Sequence, residues 1–274
     1  MTALGEFLRS RRAALRPADA GLVSYGSRRR VPGLRREELA QLAGVSVAYL
    51  TRLEQGQAKG ASDAVLDALA RALRLTSDEH KHLRNLARPP AAAAKRTPSR
   101  PARLRPAARQ LLDAMGGVPA VVIDRRWDVL AWNPLGHALL AGHVDAASPD
   151  RPADRPNLQR LLFLDPHTRD LYPRWETEAR QAVAALRLAA GELAEDARLA
   201  ALVGELTMGS AEFAALWARH PVRDCTSGVK AFHHPVVGEF ELSFETLTLP
   251  EGHRVLAYSA ERGSGAEAAL RLLA

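Results

Sequence analysis

Within Gly33–Gly56 a single glycine, Gly44, separates two apolar-patterned segments, and this leaves the stretch few folds other than two short helices meeting at a sharp turn. Arg35 to Ala43 reads as the first helix. Gly44 ends it, because glycine accepts the left-handed backbone that such a turn requires. Val45 points into the junction, and the small Ala40 lets the two axes approach at a steep crossing. Ser46 has the chemistry to cap the second helix. From there, steps of about 100° place Val47, Ala48, Thr51, Arg52 and Gln55 on one side and Leu50 and Leu53 on the other. The leucines pack, and the opposite side faces outward. By pattern alone this is either an ordinary αα-hairpin or a helix-turn-helix that reads DNA.

Charge favours the second reading. The 274 residues are enough for two modest domains and carry a formal net charge of +7, divided unevenly. Residues 1–105 hold 21 Lys and Arg against 9 Asp and Glu, a balance of +12, whereas the remainder holds 17 against 22. The first part is therefore suited to a polyanion, either nucleic acid or an anionic membrane surface. No apolar run approaches the ~18 residues needed to cross a bilayer. Leu4, Phe7 and Leu8 are interleaved with Glu6 and Arg9, which is not the continuous apolar core of a signal peptide, so a cytoplasmic protein without a membrane partner is expected. Cys225 is the single cysteine, which excludes an intrachain disulfide and any multi-cysteine zinc site.

A DNA major groove admits a helix of this kind. Arg52 can grip a guanine edge through two hydrogen bonds, while Val47 and Ala48 suit thymine methyl groups. Ahead of the pair, residues 4–15 read as an amphipathic helix and residues 16–33 as a loop carrying the basic cluster Arg28, Arg29 and Arg30. Taken alone that cluster is a solvated charge run; beside a DNA-reading element, phosphate contact is the better reading. Ser62 opens a further helix through Leu73, and Thr76–Glu79 forms a capping box opening another. Residues 1–88 thus form an all-α module, and residues 89–105 a basic linker rich in Pro and Ala.

Ala40, Gly44, Leu50 and Leu53, with Arg52-Leu53-Glu54-Gln55-Gly56 closing the second helix, resemble the XRE-type, lambda-repressor-like DNA-binding domain. The resemblance implies base contacts from the start of the second helix (Ser46, Val47, Ala48) and from Arg52. It implies phosphate contacts from Arg36 and from the turn Gln55-Gly56-Gln57, and a structural Arg12–Glu54 pair. The loop that bears Arg28–Arg30 is longer than the usual connection in that family.

Residues 106–274 read as α+β. A short helix over Pro106–Met115 precedes a hairpin, Val118–Ile123 and Trp127–Trp132 around Asp124-Arg125-Arg126. Asn133-Pro134 caps a helix through Leu140, a Pro-, Asp- and Arg-rich loop occupies 143–157, and longer helices run from about Trp175 to Ala190 and from Ser210. Strands return at Thr226–His233, Gly238–Leu249 and Arg254–Ala260. In the middle one Phe240, Leu242 and Phe244 alternate with Glu239, Glu241, Ser243 and Glu245. Two strands, a helical insert and three strands give a five-stranded antiparallel sheet with helices over one face, like a PAS domain, in which a cavity can admit an apolar molecule.

The segments Trp127–Pro134, Leu162–Asp165, Leu186-Arg187, Phe213–His220 and His234–Leu242 resemble the MmyB-type transcriptional regulators. The resemblance implies a PAS-like domain that can hold a long-chain fatty acid. Phe163, Trp175, Trp217 and Phe232 are candidates for lining its pocket, although large aromatics also serve as ordinary core. Arg187 and His234 are candidates to receive a carboxylate, against their plain readings as a solvated arginine and a structural histidine. Adjacent His233 and His234 on a strand point to opposite faces, and neither a metal site, a catalytic motif nor a cofactor is expected. The expected protein is a homodimer on a double-stranded operator, responsive to a small apolar ligand. The alternative is a second domain that only dimerises or binds a protein partner.

Overall fold

A computed structural model describes residues 2–22, 33–57, 60–87 and 102–274. The basic cluster Arg28–Arg30 and most of the 89–105 linker lie outside the described residues.

Five helices build the N-terminal module: α1 (Ala3–Ala14), α2 (Arg36–Ala43), α3 (Val47–Gln55), α4 (Asp63–Ala72) and α5 (Ser77–Ala87). Their ends follow local chemistry. Ser46 accepts the Tyr49 amide at 3.1 Å, and Ser62 accepts the Val65 amide at 3.4 Å. Thr76 and Glu79 exchange hydrogen bonds across the start of α5, as a capping box should. Gly44 ends α2 at φ 65°, a left-handed conformation that a side chain would oppose. Phe7, Leu8, Leu34, Leu39, Leu50, Leu53, Leu69 and Leu83 form the core, each no more than 1 % exposed.

The C-terminal domain is an antiparallel sheet of five strands in the order β2-β1-β5-β4-β3, with β1 (Ala120–Ile123), β2 (Val129–Trp132), β3 (Ser227–His234), β4 (Gly238–Thr248) and β5 (Arg254–Ser259). Buried Leu242 and Phe244 alternate along β4 with exposed Glu241, Ser243 and Glu245, so one face is dry and the other wet. α6 (Pro106–Ala114) leads into β1. Between β2 and β3 run α7 (Pro134–Ala141), α8 (Leu158–Leu164), α9 (Pro166–Leu171), α10 (Trp175–Glu192), α11 (Ala197–Gly209) and α12 (Ala211–Ala218), and α13 (Gly265–Leu273) closes the chain. Among the described residues no single helix is long and apolar enough to cross a membrane.

Asn133 fixes the junction of α6, β1 and α7. Its Oδ1 accepts the Ala120 and Gly136 amides at 3.0 and 2.7 Å, and its Nδ2 donates to the Met115 and Val118 carbonyls at 2.7 Å each. The residue is 1 % exposed, so Asn133→Ala leaves the buried Ala120 and Gly136 amides without this acceptor. The expected cost is about 3–4 kcal/mol, read as a lowered urea midpoint, and a midpoint unchanged from the parent would contradict this account.

Candidate DNA interface and ligand cavity

On α3, Val47, Ala48, Arg52 and Gln55 are exposed and Thr51 is half-buried, while Leu50 and Leu53 are buried. Exposed Ser46 precedes them as the cap and exposed Gln57 follows, so the expected reading residues share one surface. The Thr51 hydroxyl is turned back to the Val47 carbonyl at 2.8 Å. Arg36 Nε donates to Glu54 Oε2 at 2.9 Å, which anchors the guanidinium while 38 % of the side chain stays exposed. Arg12 Nε donates to the other Glu54 oxygen at 2.9 Å, and Arg12 also reaches the Leu34 carbonyl at 3.0 Å. Glu54 is 1 % exposed, so one buried carboxylate ties α1, α2 and α3 together and sets the pitch of the reading helix.

Close approach sets the same geometry. A Cβ on Gly5 would lie 2.0 Å from the Glu54 carbonyl oxygen, so only glycine lets α1 cross α3 at this distance. Gly5 escaped the sequence reading. Its one signal is a glycine inside an otherwise helical pattern.

In the second domain, a cavity of about 120 Å³ opens between the sheet and α8, α9 and α10. Ile123, Trp127, Leu140, Leu162, Phe244 and Leu256 give it apolar walls, and Gln159, Thr168, Tyr172, Glu178, Lys230, Arg254 and Tyr258 polar ones. Lys230 is ion-paired with buried Glu178, the first-turn residue of α10. Burial raises the Tyr172 and Tyr258 hydroxyls above the usual phenol range, with Glu178 pushing the same way, so both remain neutral hydrogen-bonding groups. Gln159 Oε1 and Thr168 Oγ1 are buried without a hydrogen-bond partner. They are acceptor and donor capacity left open at the cavity.

None of the six residues expected at the pocket lines this cavity. Phe163 and Trp175 pack edge to face at 5.8 Å, with the Trp175 indole N–H on the Leu162 carbonyl, and Phe163 meets Phe213 at 5.1 Å. Trp217 stacks on Phe213, and Phe232 sits behind the wall tyrosines, 5.5 Å from Tyr172 and 5.8 Å from Tyr258. His234 Nε2 lies 3.0 Å from the Ala138 carbonyl while its Nδ1 accepts the Val236 amide, which assigns a neutral tautomer with both nitrogens engaged. Arg187 lies over the Trp217 ring at 3.5 Å and donates to the Trp217 carbonyl. The groups that sequence reasoning missed, Glu178 and Lys230, are 52 positions apart and carry no motif.

Arg187 belongs instead to the contact between the domains. Leu188 and Val222 are buried in the core of the N-terminal module. A Cβ on Gly191 would come 2.5 Å from His82 Nδ1, Lys81 pairs with Glu192 at 2.9 Å, and the Asp224 amide donates to Asp78 Oδ2 at 2.9 Å. Arg11 reaches the His220 carbonyl and pairs with Glu79 at 2.6 Å. Burial, together with Arg187, Arg11 and His220, pushes His82 down to about 4, and burial pushes Arg187 down to about 10. Helix α10 therefore borders the cavity with Glu178, Gln181, Ala182 and Ala185 and meets the DNA-reading module with its last turn.

An exposed helix-turn-helix face and a second-domain cavity whose bordering helix α10 packs on the same module through α5 fit a ligand-responsive transcription regulator. Residues 104–273 match the MmyB-like transcription regulator ligand binding domain, and residues 3–83 match a helix-turn-helix domain. The chain belongs to the MmyB-like transcription regulators. No curated protein matches it. The architecture is that of a transcription regulator.

Proposed function

We propose that the protein is a cytoplasmic, homodimeric operator-binding regulator whose C-terminal cavity takes a long-chain fatty acid as effector, without a cofactor. The observation that carries this reading is α10, shared between the cavity and the DNA-reading module. Apolar walls suit an acyl chain, and Lys230 supplies a cation for its carboxylate. An incoming carboxylate competes with Glu178 for Lys230. Because Glu178 is on the first turn of α10 and Gly191 on the last, displacing the one shifts the other against His82. Two copies of α3 about 34 Å apart would read paired half-sites, with Ser46, Val47, Ala48, Thr51, Arg52 and Gln55 toward bases. Arg36, Gln57 and the basic residues Arg28–Arg30 would lie toward phosphates.

Native mass spectrometry of the purified full chain, followed by operator titration with and without tetradecanoic acid, tests the ligand reading. A co-purified acid, or an operator affinity moved several-fold by the added one, supports it. Failure of both supports a second domain that only dimerises or binds a protein partner. For the reading residue, Arg52→Ala is expected to weaken operator binding by about 1–3 kcal/mol while leaving random DNA nearly untouched. Equal loss on both sequences would make Arg52 a phosphate contact.

A further inference from the structure

Away from the cavity and the DNA-reading face, three side chains converge where the end of α7 meets the start of α9. His143 follows α7, Asp165 is the N-cap of α9, and His167 lies in its first turn. His143 Nε2 is 2.9 Å from Asp165 Oδ2, and His167 Nδ1 is 3.7 Å from Asp165 Oδ1. One ligand atom from each residue lies within 4.8 Å of the other two. We propose that His143, Asp165 and His167 form a three-ligand binding site for a divalent transition cation of the zinc class.

The two imidazoles stack with centroids 4.7 Å apart and planes at 17°. The Thr168 amide, at 2.9 Å from Asp165 Oδ1, orients the carboxylate as an outer-shell group orients a ligand. Metal–ligand bonds of about 2.0–2.2 Å place tetrahedral ligand atoms roughly 3.3–3.6 Å apart. The 3.7 Å between His167 and Asp165 is close to that spacing, whereas His143 and Asp165, hydrogen-bonded at 2.9 Å, must part by about 0.5 Å to admit the ion; His167, with 72 % of its side chain exposed, is free to adjust.

Two imidazoles with one carboxylate select zinc, nickel or copper over magnesium or calcium, which prefer oxygen alone. Three protein ligands leave a fourth position for water or another group. His143 and His167 line a cavity of about 480 Å³ together with His234, which is no competitor, since both its nitrogens are hydrogen-bonded. Thr168 and Leu140 line the ligand cavity a few residues away, so the cation would tie α7 to α9 along that wall.

The test is calorimetric titration of the EDTA-treated full chain with ZnCl2 at neutral pH, with MgCl2 as control. One equivalent of zinc is expected to bind, about 10-fold or more weakly in His143→Ala and in His167→Ala, with no binding of magnesium. Cobalt in place of zinc should give tetrahedral absorption bands that either variant abolishes. Both side chains are on the surface, so the variants spare the fold, whereas Asp165 caps α9 and is left intact. No zinc binding, binding that either variant leaves unchanged, or equal binding of magnesium would overturn the proposal.

Discussion

A Glu54→Ala variant is expected to lose about 3 kcal/mol of stability and, with it, most operator affinity. The carboxylate is 1 % exposed and bonded by both Arg12 and Arg36, whose side chains are 16 % and 38 % exposed. Removing it leaves two guanidinium groups facing each other with no anion between them, and it releases a side chain that joins α1, α2 and α3 through charge. The cost falls at the lower end for a broken buried pair because the arginines retain some contact with water. For a module of this size the loss corresponds to a melting temperature lower by roughly 12–24 °C. Circular dichroism melts and operator titration on the same preparation check it. Glu54→Gln keeps the shape without the charge and should fall between; a Glu54→Ala melt within a few degrees of the parent would mean that solvent already screens the pair.

The second large effect concerns coupling. Gly191→Leu cannot be accommodated beside His82, because even a Cβ would lie 2.5 Å from its ring nitrogen. α10 must move off α5, which breaks Lys81–Glu192 and uncovers Leu188. Ligand binding in the cavity should persist, since Glu178, Gln181, Ala182 and Ala185 precede the substituted turn, while operator affinity should become insensitive to ligand. Acid should loosen the same contact in the parent. His82 titrates near 4 when folded and near 6.5 when unfolded, so the unfolded chain takes up the proton first as pH falls. Stability is therefore full above about pH 6.5 and declines toward pH 4, by about 3 kcal/mol in all. Unfolding free energies measured across that range check the sign, and a flat profile in the parent would remove His82 from this role.

What the sequence made legible was local. Ser46, Thr76 and Asn133 are caps because each hydroxyl or amide reaches an N–H three residues on, a contact written entirely in neighbouring residues. β4 was legible because its alternation of Phe240, Leu242 and Phe244 with acidic residues and Ser243 is the period of a half-buried strand. α9 was not, since six residues with only Thr168 and Leu171 buried carry too little periodicity to register. Nor could pattern direct the large aromatics: Phe163, Trp175 and Trp217 are rich in apolar surface, but whether a ring faces a cavity or another ring depends on helices brought together only by the fold. The same holds for Arg187, which pairs with Trp217 across 30 positions rather than facing a ligand.

Leu188 and Val222 complete a core that otherwise belongs to the first 87 residues. During synthesis the DNA-reading helices therefore emerge with two apolar gaps that stay open until the sensor's central helix and the segment ahead of β3 have left the ribosome. At about 5–20 residues per second that interval is roughly 7–27 s. A nascent chain cut short within it would carry the reading helix without the residues that seal it, so full competence for the operator arrives together with the domain that governs it.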